Sequence, residues 1–133
     1  MALQTMQREI QRLVPYHLAV ARTSLTGAAT VTLTAQVPGD ADFEVRYING
    51  SFTSTNAEMV IRDSGTRLEI MNRPVFAALV TGTGMQPYVL PCPALFVANS
   101  NIEVTITDLS GQTNIVQVVF CGYLVYPGPV RGS

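Results

Sequence analysis

From Thr30 onward, apolar and polar residues alternate with a period of two, and β-branched side chains fill many of the positions. The run "TVTLTAQV" sets Thr30, Thr32 and Thr34 on one side and Val31, Leu33, Ala35 and Val37 on the other, the pattern of a half-buried strand. Pro38-Gly39-Asp40 closes it. "FEVRYIN" places Phe43, Val45 and Tyr47 against Glu44 and Arg46, "AEMVIRD" turns Met59 and Ile61 inward, and Ser64-Gly65 leads into "TRLEIMN" as a hairpin. Then come "PVFAALV", an extended "QPYVLPCP", "NIEVTITD" with Ile102, Val104 and Ile106 inward, and the long "IVQVVFCGYLVY". These eight candidates, separated by turn signals, predict an all-β fold: an antiparallel two-sheet sandwich, with a jelly roll favoured over other Greek-key connectivities.

Upstream the period differs. Met6, Ile10 and Leu13 share one face of a helix predicted over Thr5–Leu13 and stopped by Pro15. The reading that follows divides the chain into an N-terminal helix and arm (1–29), a sandwich (30–126) and a flexible C-terminal tail (127–133). Because "TSLTGAAT" reads as a flexible connection, the sandwich from Thr30 to Tyr126 is expected to stay folded without the arm. Three prolines, Pro87, Pro91 and Pro93, each lack an amide donor, so "QPYVLPCP" is expected at a sheet edge or as an extended crossing. In the last strand Ile115, Val116, Val118, Val119, Phe120, Tyr123, Leu124, Val125 and Tyr126 make both faces apolar. Its second face must therefore meet the N-terminal helix or another subunit.

Composition sharpens that point. A chain of 133 residues fits a single core, yet hydrophobic residues reach 47% against 13% charged, with a mean hydropathy of +0.27, so some apolar surface is expected to meet other chains. A homodimer or homotrimer is the expectation, with Met6, Ile10, Leu13, Val116, Val118, Phe120, Tyr123 and Val125 as candidate assembly contacts. The net charge is -1, and the eight basic residues are all arginines, scattered along the chain, which points away from nucleic acid and anionic membrane surfaces as partners. No apolar run approaches the roughly 18 residues of a membrane span. "MALQTMQREIQRL" carries charges where a signal peptide has its apolar core, so a cytoplasmic origin and reduced Cys92 and Cys121 are expected.

Several residues invite a chemical reading. His17 is the only histidine, and no "G-x-S-x-G" turn accompanies it. The pool of His17, Cys92 and Cys121 lacks paired ligand spacing for zinc. "TGTG" (Thr81 to Gly84) resembles part of a phosphate loop, but no Lys-Ser/Thr follows, and a glycine turn accounts for it. Asp63 and Asp108 would serve glycoside hydrolysis if about 5 to 10 Å apart, whereas "DSG" and "DLSG" are also what turns need for their own backbone hydrogen bonds. Cys92 has no base or cation beside it in sequence. No catalytic residue, metal or cofactor is assigned, and the chain is not expected to be an enzyme.

A resemblance enters at this point. The "I-x-D-S-G" turn, the "N-x-P-V" segment, "G-T-x-x-x-P-Y-x-L-P-x-P", "N-S-x-I-x-V-x-x-T-D-L-S-G" and the terminal "G-Y-x-x-Y" resemble a group of small virion proteins of tailed bacteriophages, over roughly ninety residues. The resemblance implies a jelly-roll or β-sandwich module attached to the capsid, the collar or the head-to-tail region. It implies a decoration, cement or minor capsid protein that binds the major capsid protein or other head and collar proteins, located in the virion and assembled in the host cytoplasm. The other reading is a carbohydrate- or receptor-binding jelly roll of a phage tail or collar, for which the absence of Trp is unfavourable.

Overall fold

Alternation becomes pairing in a nested order. In the computed structural model, which describes residues 12–65, 70–83 and 85–127, the strands are β1 (Arg12–Ala19), β2 (Thr23–Leu25), β3 (Thr30–Gln36), β4 (Asp42–Phe52), β5 (Ala57–Asp63), β6 (Val75–Phe76), β7 (Tyr88–Phe96), β8 (Asn101–Asp108) and β9 (Asn114–Tyr126). One helical turn, α1 (Ala77–Val80), follows β6. β5 pairs with β6, β4 with β7, β3 with β8 and β1 with β9, all antiparallel, so the chain is one long hairpin rolled over on itself. The roll divides into two sheets: β1-β9-β4-β7, with β2 also paired to β9, and β3-β8-β5-β6. Within antiparallel two-sheet sandwiches, that nested order is the jelly-roll path.

Residues 12–19 and 23–25 are sheet strands, not the end of a helix and an arm. Leu13, expected on the helix face, lies in β1 opposite Val125; Met6 and Ile10 fall outside the described residues. The physical reason is a period of two hidden in "LVPYHLAV": Val14, Tyr16, Leu18 and Val20 all turn inward, and Leu18, Val20 and Leu25 are buried in the core. Pro15 forbids a helix but is tolerated on an edge strand, and β1 is an edge. At its start the Arg12 guanidinium sits 4.4 Å over the Tyr126 ring. The sandwich therefore includes the segment expected to be dispensable.

β4 carries the main irregularity. Val45 pairs with Gly122 and Tyr47 with Cys121, consecutive residues of β9, which leaves Arg46 as an extra residue, a β-bulge. Phe43 and Val45 face the core before the bulge and Ile48 after it, while Tyr47, expected inward, is thrown to the outside. Gly122 makes the bulge possible, because a Cβ there would lie 1.8 Å from the Glu44 carbonyl oxygen. On the opposite side β7 bows out as well: Ala94 pairs with Val45 and Val89 with Tyr47, so Leu90-Pro91-Cys92-Pro93 span a gap that β4 crosses with Arg46 alone. The proline-rich segment is thus an irregular edge strand, the place where missing amide donors do least harm.

Other expectations fare unevenly. Met59, Ile61, Ile102, Val104 and Ile106 are all fully buried, as the alternation requires. "PVFAALV" is a strand only at Val75–Phe76; from Ala77 it coils into α1, whose small Ala77 packs in the core, and the Thr81 amide and hydroxyl both donate to the Ala77 carbonyl at 3.0 and 2.7 Å. Alanine and leucine favour that turn over an extended path. The "TRLEIMN" hairpin falls partly outside the described residues, although the Ile70 amide returns to the Ile61 carbonyl at 3.1 Å. Of the expected tail, only Pro127 lies among the described residues. Phe43 and Phe120 are the largest fully buried side chains, each contributing about 1.5–3 kcal/mol.

Two substitutions test this architecture. Gly122→Ala should lower stability by about 3 kcal/mol or more, because its Cβ meets backbone that can move only by opening the bulge, while Leu13→Ala at a half-exposed site should cost under about 1 kcal/mol. A chain beginning at Ala28 should show no cooperative thermal transition by circular dichroism, since β9 loses both partners on one side.

Candidate functional site

The two outer faces of the sandwich differ in chemistry. On the β3-β8-β5 sheet the outward residues are Thr30, Thr32 and Thr34, then Thr107, Thr105 and Glu103, then Glu58, Val60 and Arg62. Thr30 bonds Thr107 at 2.9 Å and Thr32 bonds Thr105 at 3.0 Å, side chain to side chain. This is a solvated face. On the β1-β9-β4-β7 sheet, outward residues line up across the strands as Leu13, Val125 and Asp42; Pro15, Tyr123, Glu44 and Leu95; His17, Cys121, Tyr47 and Val89; and Ala19, Val119 and Asn49. Val89 and Leu95 are each 58% exposed and Leu13 48%.

The charges on that second face are tied up locally. Arg46 donates to Glu44 Oε2 from Nε at 2.9 Å and from Nη2 at 2.7 Å, and its guanidinium lies 5.1 Å over the Tyr123 ring. Glu44, by hydrogen bond and by charge, raises the Arg46 pKa further, and the two opposite charges offset each other on this face. Asp42 accepts the Ala98 amide at 2.9 Å. What remains outward is largely apolar, and it is built from residues the bulge and the register select.

Among the expected assembly contacts, Val116, Val118 and Phe120 point between the sheets and are buried to 0, 0 and 1% exposure, so another chain cannot reach them. Leu13, Tyr123 and Val125 do lie on the outer apolar face. Pro15, Tyr47, Val89 and Leu95 lie on the same outer face and were not among the residues expected there. A glycine inside an apolar strand, Gly122, was the one signal that a bulge would reverse the facing of β4.

Residues with candidate chemistry are kept apart or used in turns. His17 is exposed on β1 opposite Cys121, which is buried; both Cys121 and the exposed Cys92 are free thiols, and burial pushes the Cys121 pKa up. Asp63 sits opposite Ile102 and Asp108 opposite Ala57, at the two ends of the β5-β8 ladder. At about 3.4 Å per residue they are roughly 20 Å apart, too far to act as a pair. Asp63 Oδ1 accepts the Gly65 amide at 2.9 Å. In "TGTG" the Gly82 amide donates to the Ile48 carbonyl at 2.9 Å and the Thr83 amide to the Gln86 carbonyl at 3.0 Å, so neither is free to cradle an anion; Gly84 lies outside the described residues. A Cβ on Gly82 would lie 2.2 Å from the Gln86 carbonyl, which explains that glycine. Among the described residues, no three His, Cys, Asp or Glu side chains cluster to hold a metal ion.

Asp108 anchors one end of the sandwich. Its Oδ1 accepts from the Ser110 hydroxyl at 2.7 Å, the Ser110 amide at 3.0 Å and the Asn114 amide group at 3.2 Å, and Asn114 in turn donates to the Ser54 carbonyl at 2.8 Å and accepts the Ser54 amide at 3.0 Å. Asp108 and Asn114 are fully buried. These bonds, the Ser110 hydroxyl foremost, hold the Asp108 pKa below the usual carboxylate range against the opposing effect of burial.

A cleft of about 580 Å³ opens beside β4, lined by Asn49, Ser51, Phe52, Thr55, Thr81, Thr83 and Gln117 among others, with no charged side chain. Comparison of the chain with protein-family models, with curated proteins and with solved structures finds no match.

Asn114→Ala should cost about 2–3 kcal/mol in denaturant unfolding, because it strips partners from buried Asp108 and from the part-buried backbone of Ser54. Since the folded-state pKa of Asp108 is depressed, its stabilisation is complete above the unfolded value of about 4 and fades as pH falls through the folded value. The melting temperature should therefore drop more steeply below about pH 4 in the native protein than in Asp108→Asn.

Proposed function

We propose that the protein is a structural subunit of a tailed-bacteriophage virion, a decoration, cement or minor capsid protein that self-associates and docks on other head or collar proteins. The observation that carries this reading is the contrast between the two outer faces: one is threonine and charge, the other a broad apolar sheet on which Arg46 and Glu44 neutralise each other and Asp42 is held by a backbone amide. Such a face, centred on Pro15, Tyr123, Tyr47, Leu95 and Val89, has the chemistry of a protein contact rather than of solvent. The resemblance of the segments from Phe43 to Tyr126 to small phage virion proteins supplies the kind of particle. Non-catalytic roles for the turn aspartates and the "TGTG" amides support a binding part over an enzymatic one.

A second reading, a carbohydrate- or receptor-binding module of a tail or collar, draws on the uncharged cleft with hydroxyl and amide groups around Phe52. A neutral sugar would suit that lining.

The docking reading makes a definite prediction. Val89→Glu and Leu95→Glu, both on exposed side chains, should leave the thermal transition within about 1 kcal/mol of the parent yet abolish incorporation into phage particles, scored by mass spectrometry of purified virions. Undiminished occupancy in both variants would remove the apolar face from the assembly role. Perturbation of Phe52 and Gln117 resonances by a neutral oligosaccharide would instead favour the second reading.

A further inference from the structure

A jelly roll has four free strand edges, and three of them here are blocked. β1 carries Pro15, β7 carries Pro91 and Pro93 within a stretch that leaves the register of β4, and β6 is two residues long before α1 takes over. These are the devices by which sheets avoid pairing edge to edge. β3 has none of them. Its seven residues, "TVTLTAQ", contain no proline, no charge, no glycine and no register shift, and among the described residues nothing pairs with its outer side.

The direction of the backbone groups is settled by the ladder. The Asp108 amide donates to Ala29 and the Val37 amide to Ser100, so the odd-numbered residues of this strand bond to β8. Thr30, Thr32, Thr34 and Gln36 consequently direct their amides and carbonyls to the free edge. Their hydroxyls lie on the solvated face, where the Thr30–Thr107 and Thr32–Thr105 hydrogen bonds already form a cross-strand threonine ladder.

We propose that β3 is the self-association edge of this protein and that its occupant is β3 of a second copy, antiparallel, about a two-fold axis through Thr32. The sequence is self-complementary in that register: Thr32 meets Thr32, Thr30 meets Thr34, and Val31 meets Leu33. Each threonine finds a threonine, as Thr30 and Thr32 do across β3 and β8, and no charge opposes another. Val31 and Leu33, which pack against the core but are only partly covered by it, gain cover on the inner side. Ala28, in the left-handed region at φ 57°, and Pro38 bound the paired segment. The two β3-β8-β5-β6 sheets then join into one, and a two-fold contact of this kind closes at a dimer. The apolar face of the other sheet stays free for a different partner. The inference rests only on the self-association part of the proposed function.

The test uses the full chain. Sedimentation of the native protein at tens of micromolar should give twice the 14.4 kDa chain mass, and Thr32→Lys should give the chain mass with an unchanged circular dichroism spectrum, because its outward side chain meets its own copy about 5.5 Å away between Cα atoms. A covalent probe tests register. With Cys92→Ala to remove the exposed thiol, Thr32→Cys should cross-link to a dimer on mild oxidation, and Thr105→Cys, one strand in from the edge, should not. A monomeric native protein, a Thr32→Lys variant that remains dimeric, or equal cross-linking at both positions would each overturn the proposal. Occupancy of virions is read separately: a dimer that never enters particles refutes the virion role and leaves the edge contact standing.

Discussion

The pairing of β4 with β9, with Arg46 bulged out over Gly122, is the constraint on which the rest of the molecule depends. β9, the longest strand among the described residues, holds β1 and β2 on one side and β4 on the other. One extra residue in β4 shifts every later side chain to the other face, so Ile48 enters the core and Tyr47 leaves it. β7, paired to the far side of β4, must bridge the same irregularity, and it does so with prolines. A single missing Cβ at residue 122 thus sets the inner face, the outer face and the shape of one edge.

The remaining polar chemistry serves that architecture. Buried Asp108 and Asn114, with part-buried Ser54 and Ser110, form one node where the β8-β9 connection meets the end of β4, and they satisfy backbone groups there. Gly82 stitches the loop after α1 to β4, with its carbonyl accepting the Gly50 amide at 2.8 Å. Because these groups are occupied by structure, the free surface is left to carry function. It offers an apolar sheet on one side, a threonine-rich sheet on the other and an open edge at β3.

Much of the core was legible from alternation alone. Strands β3, β5 and β8 have regular registers, and their inward residues are the ones the period predicted. The turn roles of Asp63 and Asp108 could also be anticipated, because an aspartate two residues before a turn amide forms a local bond that needs no distant partner. The candidate contact surface was legible only in part. Val116, Val118 and Phe120 looked like surface candidates because β9 is apolar on both faces, and hydrophobicity does not say which face meets the opposite sheet.

The sequence by itself determined the class of fold, the strand positions with a strict period of two, the turns with local side-chain bonds and the exclusion of prolines from central strands. All of these depend on neighbours within a few residues. Only the tertiary structure decided the nested pairing order, the place of residues 12–19 and 23–25 inside the sheet, the coil of Ala77–Val80 and the facing of Tyr47. Each of those depends on a partner distant in sequence: β9 for β1, the core for Ala77, Gly122 for the bulge. A period of two reports that a strand has two faces, but which face is inside is settled by the strand it lies against.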